Sequence, residues 1–476
     1  MTEVELHYRS ARELTAWVRS GEISARELLE VHLDRIEAVN PGLNAIVTLV
    51  PEQARAWAAE ADERQARGEE LGPLHGLPIA HKDLVMTAGI RSTSGSRLLA
   101  DHVPDHDDLI VQRLRAAGAI TLGKTNVPEF GAGSQTYNEV FGETLNPWDT
   151  HLTCGGSSGG AAVALASGMV PIADGSDMGG SLRNPGNFCS VVGFRPSPGR
   201  VPSYPSRSDW SPLPVLGPMA RNVGDTALLL SAMAGPDARA PLSLETPGEA
   251  FARPLERDFR GVRVAWGRDL GGLPVDPRVN AVIDGARPLF EELGCVVEDA
   301  EPDWTGADEA FKTLRAWEFA QGFGGLSEGA RGLLKETVRW NLDQGLALSA
   351  TDVARAENLR AQLYQRVRGF MDDYEFMVLP VNQVLPFDVS VRFPESIEGV
   401  AMETYIDWMK SAYFVTLTGH PAISLPCGFS EEGLPVGVQI VGRWREDWGV
   451  LQFAAALEAA LEEKRGVSSR RPPLEG

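Results

Sequence analysis

The chain has 476 residues, with 44 basic and 65 acidic side chains and a net charge of −21. Proteins that gain affinity by neutralising phosphates cluster Lys and Arg, so this balance argues against direct nucleic-acid binding. At 43 % hydrophobic and 23 % charged, the composition is that of a globular protein with a large core rather than a disordered or fibrous chain. No window reaches the roughly 18 uninterrupted apolar residues of a membrane span.

In chain order, the opening stretch MTEVELHYRSAREL is acidic and polar, unlike a secretion signal. Ser10 precedes Glu13 by three and Ser24 precedes Glu27 by three, which predicts two capped N-terminal helices. An alanine- and charge-rich helix is expected over 51–67, then a short buried strand, Gly-Leu-Pro-Ile-Ala, running into His81 and Lys82. A helix over 108–117 stops at Gly118 and a strand follows over 119–123. The stretch 146–200 differs in its glycine density: GGSSGG, a helical AAVALASG, the strand VPIA, then DGSDMGGSLRNPG. Glycine costs backbone entropy on folding, so such density suits close approach of backbone to a ligand or unusual dihedrals. A helix over 225–233 and a Pro-rich surface connection over 235–261 follow. VRVAW, CVV, YEFMVLPV, AISLP and GLPVGVQIVG read as strands, a helix over 447–463 closes the fold, and the last ten residues are expected to be loose. Helix and strand alternate throughout, so the fold class is α/β; length alone suggests about three domains, but such enzymes often keep one continuous sheet. Cys154, Cys189, Cys295 and Cys427 lie far apart, without metal or disulfide spacing, and imply reduced thiols in the cytoplasm.

Chemistry is suggested first by lysine usage. Only six lysines stand against 38 arginines, and Lys82 follows an apolar run. Burial disfavours its ammonium and lowers its pKa, as a general base requires; the alternative is a structural ion-paired Lys82–Asp83 region. Next come the serine and glycine motifs. Met178-Gly179-Gly180-Ser181 offers a row of backbone N–H groups with little side-chain obstruction, suited to an oxyanion. A tight loop or a phosphate cradle is the alternative, yet neither glycine stretch has a phosphate-loop pattern. Gly155 to Gly159 also fits G-x-S-x-G, an α/β-hydrolase elbow in which an esterase would pair Ser157 with His420, the only later histidine. His151-Leu-Thr-Cys is a poor strand to precede such an elbow.

The stretch NPWDTHLTCGGSSGGAAVALASGMVPIADGSDMGGSLRNPGNFCSVVGFRPSPGRV resembles the amidase signature family of Ser–cis-Ser–Lys amide hydrolases. The likeness extends to GLPIAHKDL, GKTNVPEFG, GPMARNVGDTALLLSAMAG, HPAISLPCGF and GLPVGVQIVG, nearly the whole chain. It implies Ser181 as nucleophile, Ser157 as bridging serine after a cis Gly156–Ser157 peptide, and Lys82 as base. Lys82 precedes Ser157 by 75 residues and Ser157 precedes Ser181 by 24, the family's usual spacing. The resemblance also implies an oxyanion hole from the amides of Met178, Gly179, Gly180 and Ser181. Asp177 and Arg183 match the loop-fixing charged pair, and Ser158 a supporting hydroxyl. It calls for no metal and no organic cofactor, and gives His81 no role. Met178 stands where many relatives have Thr or Ile, and GFRPSPGR replaces the commoner GLKPTYGR.

The architecture expected is one large domain with a mixed central sheet flanked by helices: a helical extension over 1–65 packed on the core, an amidase domain over 66–465 and a tail over 466–476. Gly131, Ala132, Gly133 and Ser134 lie between anchored motifs and are expected to line the pocket. Tyr405, Trp408, Met409 and Tyr413 lie on a helix-like apolar stretch over 401–413; they are core residues at helical spacing or an apolar acyl or aryl pocket. The expected activity is hydrolysis of small or aryl amides, extending to esters or carbamates, by a protein whose partner is a small-molecule amide, with neither nucleic acid nor membrane; a homodimer is left open. The other reading is the A subunit of a glutamine-dependent aminoacyl-tRNA amidotransferase. A catalytically silent binding protein is disfavoured, because all three triad positions are filled.

Overall fold

The computed structural model describes residues 6–474. Eleven strands form one sheet: β1 (Ile46–Leu49), β2 (Pro78–Lys82), β3 (Ile120–Thr125), β4 (Ile172–Asp177), β5 (Val192–Arg195), β6 (Val215–Ala220), β7 (Arg263–Trp266), β8 (Val296–Asp299), β9 (Phe376–Pro380), β10 (Ala422–Phe429) and β11 (Pro435–Gly442). Their spatial order is β1-β3-β2-β4-β6-β5-β10-β11-β9-β7-β8. β2 runs parallel to β3 and β4, and β7 parallel to β8 and β9; the pairs between these groups are antiparallel. The sheet is therefore mixed, with helices packed on it. Central strands buried on both faces must be apolar along their length, and β11 is buried from Pro435 to Gly442.

Both N-terminal capping boxes form. Ser10 Oγ accepts from Glu13 N–H at 3.1 Å while Glu13 accepts from Ser10 N–H at 3.0 Å, and Ser24 and Glu27 do the same at 3.1 and 2.8 Å. The helices they start, Ala11–Ser20 and Ala25–Val39, bury Leu14, Val18, Leu28, Leu29 and Ile36 in the main core. This segment also contributes β1, an edge strand antiparallel to β3, which the helical reading of 1–65 did not contain. Four apolar or β-branched residues are too few for periodicity to mark a strand. At the other end, Val467 is buried and the Arg470 guanidinium lies 3.8 Å from the Phe429 ring centroid, while Ser469, Arg471 and Pro473 are exposed. Residues 1–5 and 475–476, where the expected extension and tail begin and end, lie outside the described residues.

The stretch 401–413 is not one helix. Ser396–Ile397 and Val400–Ala401 form a two-stranded turn, Asp407–Met409 a single 3-10 turn, and the helix proper is Lys410–Thr418. Tyr405 therefore sits in a loop ahead of that helix, held by Asp407, whose carboxylate accepts from Thr404 N–H at 2.7 Å.

What the topology does for function is set by β2 and β4. The chain leaves β2 toward β3 on one side and returns to β4 on the other, so the ends of β2 and β4 flank a switch point where a crevice opens. Lys82 is the last residue of β2 and Asp177 the last of β4. No helix among the described residues is long and apolar enough to cross a membrane.

Candidate active site

Lys82 has no solvent exposure, and its Nζ lies 2.8 Å from Ser157 Oγ, 2.8 Å from Ser158 Oγ and 3.0 Å from Ser176 Oγ. Burial pushes the amine down to about 7, against the opposing pull of the Asp177 and Asp174 charges. A neutral amine has two N–H donors and one lone pair, and three hydroxyls around Nζ match that valence. Beneath it, Asp174 accepts from Lys82 N–H at 2.8 Å and meets His81 Nδ1 at 2.5 Å, while His81 Nε2 lies 3.0 Å from Thr121 Oγ1. His81, left without a role by the sequence, ties β2 to β4 and β3 below the amine.

Ser157 follows a cis peptide, Gly156–Ser157. The two carbonyls before it are fixed by the loop opposite: Ser134 Oγ donates to Gly156 O at 2.9 Å and Thr136 Oγ1 to Gly155 O at 2.8 Å. Gly131, at φ +71°, stands against Ser157, and a Cβ there would come 3.4 Å from Ser157 Oγ. Ser181 is brought alongside by Ser158, whose N–H donates to Ser181 O at 3.2 Å. Ser181 is 9 % exposed where Lys82 is 0 % and Ser157 2 %, so of the three it is the one substrate reaches most directly.

The loop 178–181 hangs from Asp177. That carboxylate accepts from Gly180 N–H at 3.0 Å, Leu182 N–H at 3.1 Å, Arg183 Nε at 3.0 Å and Arg183 Nη2 at 2.9 Å, and Arg195 Nη1 lies 3.3 Å away. Burial would raise its pKa, but the Arg183 and Arg195 charges win and hold it well below the usual carboxylate range. Arg183, also fully buried, reaches across to Ala412 O, Gln439 Oε1 and Thr416 Oγ1 at 2.9, 2.6 and 2.9 Å. Gly180 departs from the expected oxyanion row, since its amide is committed to Asp177. At φ +106° a side chain is strained, and a Cβ there would come 2.6 Å from Ala412 Cβ. The amides of Met178, Gly179 and Ser181 have no acceptor among the described residues.

Two cavities flank this cluster. One of about 430 Å3 reaches Ser176 and is walled by Leu84, Phe130, Val201, Pro205 and Leu216. The other, of about 620 Å3, is lined by Ala132, Gly133, Ser134, Tyr405 and Trp408, joined by Trp340 and Phe393. Met409 does not line it; its methyl approaches Gly179 and its sulfur lies 3.9 Å from Asn184 Nδ2, so it packs behind the loop. Tyr413 is buried, stacked on Phe311 and hydrogen-bonded to Asp308, a core residue rather than a pocket wall.

Three contributors escaped the sequence reading. Ser176 lies inside DGSDMGGS and was open to notice there. Arg195 lies in GFRPSPGR, where a strand arginine was the only signal. Arg315 had none, because it reaches the loop from more than 130 residues away: its Nη1 lies 3.4 Å from Met178 Sδ. The elbow reading of Ser157 fails: the serine is hydrogen-bonded to Lys82, and His420 is enclosed by Tyr364 and Trp444 with neither ring nitrogen partnered among the described residues. Among those residues no cluster of His, Cys, Asp and Glu is arranged to hold a metal.

A desolvated lysine amine among serine hydroxyls, beside a glycine loop with open amides, is the equipment of acyl transfer. The amidase family model matches residues 27–451. The chain is 39 % identical to an acylamidase of Rhodococcus erythropolis, covering 96 % of this chain and 97 % of the relative. It is 36 % identical to the A subunit of a glutamyl-tRNA(Gln) amidotransferase of Moorella thermoacetica, over 99 % of both. The crystal structure of a bacterial aryl acylamidase superposes with a TM-score of 0.91 at 30 % identity, covering 98 % of this chain and all of that one. This chain belongs to the amidase signature family, whose enzymes hydrolyse C–N amide bonds.

Proposed function

We propose that this protein is a free-standing acylamidase that cleaves small or aryl amides through an acyl-enzyme on Ser181, and that the same site accepts esters and carbamates. The observation that carries the reading is Lys82: a fully buried amine at about 7, 2.8 Å from Ser157 Oγ. A base poised near working pH is what proton abstraction needs.

In this mechanism neutral Lys82 takes the Ser157 hydroxyl proton as Ser157 takes that of Ser181. Ser181 Oγ then attacks the amide carbonyl, and the tetrahedral oxygen settles on the open amides of Met178, Gly179 and Ser181. Asp177, with Arg183 and Arg195, holds that loop in shape beforehand, so no reorganisation is needed as charge develops. The proton returns through Ser157 to the leaving nitrogen, the amine departs, and water repeats the sequence on the acyl-enzyme.

The aromatic wall of Tyr405, Trp408 and Trp340 suits an apolar acyl or aryl group, as does the likeness to the Rhodococcus acylamidase. The test is turnover of butyryl-p-nitroanilide by the purified chain, with no partner and no ATP. Release of p-nitroaniline supports the reading. Cleavage of glutamine alone, and only with added subunits, would replace it with the amidotransferase role named for the Moorella relative.

A further inference from the structure

We infer that Arg315, supported by Lys335, forms an anion-binding subsite, so that the preferred amide carries a carboxylate a short distance from its scissile bond. The inference rests on the amidase reading above for its place in catalysis, but not for its binding chemistry.

Arg315 lies on the helix Ala307–Phe323 and is 4 % exposed. A guanidinium taken out of water needs compensation, ordinarily a carboxylate. Arg315 has neutral partners instead: Nε donates to Asn341 Oδ1 at 3.2 Å, Nη2 to Tyr405 OH at 2.9 Å, Nη1 rests 3.4 Å from Met178 Sδ, and the guanidinium carbon lies 4.9 Å from the Phe319 ring centroid. Asn341 Nδ2 also donates to Tyr405 OH at 2.5 Å, so the phenol and amide clamp the fork in place. No Asp or Glu among the described residues forms an ion pair with it. Glu318, one turn along the same helix, is bonded to the Ser211 hydroxyl, and burial pushes its carboxyl up to about 7, so near neutrality it is only a partial counter-charge.

A second basic side chain stands on the far side of Tyr405, in the cavity that Tyr405 lines. Lys335 lines the 620 Å3 cavity, donates to Ala132 O at 3.0 Å and lies 4.5 Å from the Tyr137 ring centroid. It also lacks an ion pair among the described residues; burial, with the Arg392 and Arg315 charges, pulls its amine down to about 7, so near neutrality it is partly charged. Glu129 attracts it, but that carboxyl is engaged by Ser96 Oγ and by the backbone N–H of Lys335, both at 2.5 Å. By contrast, Arg97 and Arg392 at the same cavity are paired with Glu139 and Glu143. The guanidinium behind Tyr405, which touches the loop that begins the oxyanion row, and the partly charged amine against Ala132 together form a receptor for an anion delivered with substrate. Charge-assisted hydrogen bonds from a pre-set guanidinium suit a planar carboxylate.

The probe is a pair of p-nitroanilides of equal acyl length, butyryl (neutral) and succinyl (carboxylate-ended), with 4-butyramidobenzoate placing the carboxylate on the leaving group. The wild type should prefer one of the two acids over its neutral counterpart by about tenfold or more in kcat/KM, and the acid preferred names the limb. Arg315→Met should remove that preference mainly through KM, Lys335→Met should weaken it, and Arg315→Lys should restore part of it. A wild type that favours the neutral amides, or an Arg315→Met variant that keeps the preference, overturns the subsite. Calorimetric titration of the intact protein with succinate separates the two readings. Succinate bound by wild type and lost in Arg315→Met upholds the subsite even if no anilide is turned over, whereas turnover of butyryl-p-nitroanilide with no succinate binding and no acid preference upholds the amidase alone.

Discussion

Asp177 and Arg315 are both buried charges that touch the glycine loop, and they are treated in opposite ways. Asp177 is answered by two guanidiniums and two backbone amides, so its negative charge is matched where it holds the loop. Arg315 is met by a phenol, a carboxamide, a thioether and the face of the Phe319 ring, none of them an anion. A compensated charge fixes a shape that must not change between substrates, while an uncompensated one has an interaction still to make. The contrast divides the site into a braced half, from 76 to 220, that holds the proposed proton relay, and a receptive half, from 307 to 409, that holds the proposed anion subsite.

Changes in the braced half should strike turnover rather than affinity. Ser181→Ala should lower kcat by about 10⁴-fold or more against butyryl-p-nitroanilide while circular dichroism stays native. Retained turnover would remove Ser181 from the mechanism. Lys82→Met, apolar and close in volume, should cost about 10³-fold or more, and the double variant should be little worse than Ser181→Ala because the groups act as a unit. Additive losses would separate them and break the relay. Asp177→Asn keeps the shape but strands two buried guanidiniums. Removing one partner of a buried pair costs about 3–5 kcal/mol, which urea unfolding should report as a lower midpoint with unchanged slope. A variant as stable as wild type would mean that Asp177 does not brace the loop.

The same division explains what was legible in the sequence. The braced half is built from motifs close in the chain, where glycine density, a lysine after an apolar run and a familiar spacing all coincide. Lys82 and the serine–glycine stretches stand out from the residues themselves, the resemblance to the amidase signature family adds roles for Ser157, Ser158, Asp177, Ser181 and Arg183, and the structure brings these residues together. Strands β5 and β6 were not legible, since Val-Gly-Phe-Arg and Val-Leu-Gly-Pro-Met-Ala carry glycine or proline where periodicity is sought. Gly180's engagement with Asp177 depends on a positive φ that spacing does not express. In the receptive half, Tyr405 and Trp408 stood out as aromatics but Arg315 did not, because a surface arginine and a buried, unpaired one look alike in sequence. Only packing of the helix Ala307–Phe323 against the loop at Met178 distinguishes it.

The smallest effect expected tests how finely the braced half is set. In the wild type, kcat/KM should rise with pH through about 7, because the amine of Lys82 must lose its proton to act and burial has brought that event down from the ordinary lysine range. Ser176 Oγ, 3.0 Å from Nζ, is a hydroxyl whose oxygen can accept from that amine. Accepting hydrogen bonds favour the ammonium, so Ser176→Ala should move the limb toward lower pH, by about half a unit, and reduce kcat/KM by about threefold to tenfold as the amine loses one anchor. The two readouts move in different senses: the amine gives up its proton more easily yet works less well as a base. A limb that moves upward would mean that Ser176 favours the neutral amine, and one that stays in place would leave Ser157 and Ser158 as the hydroxyls that set it.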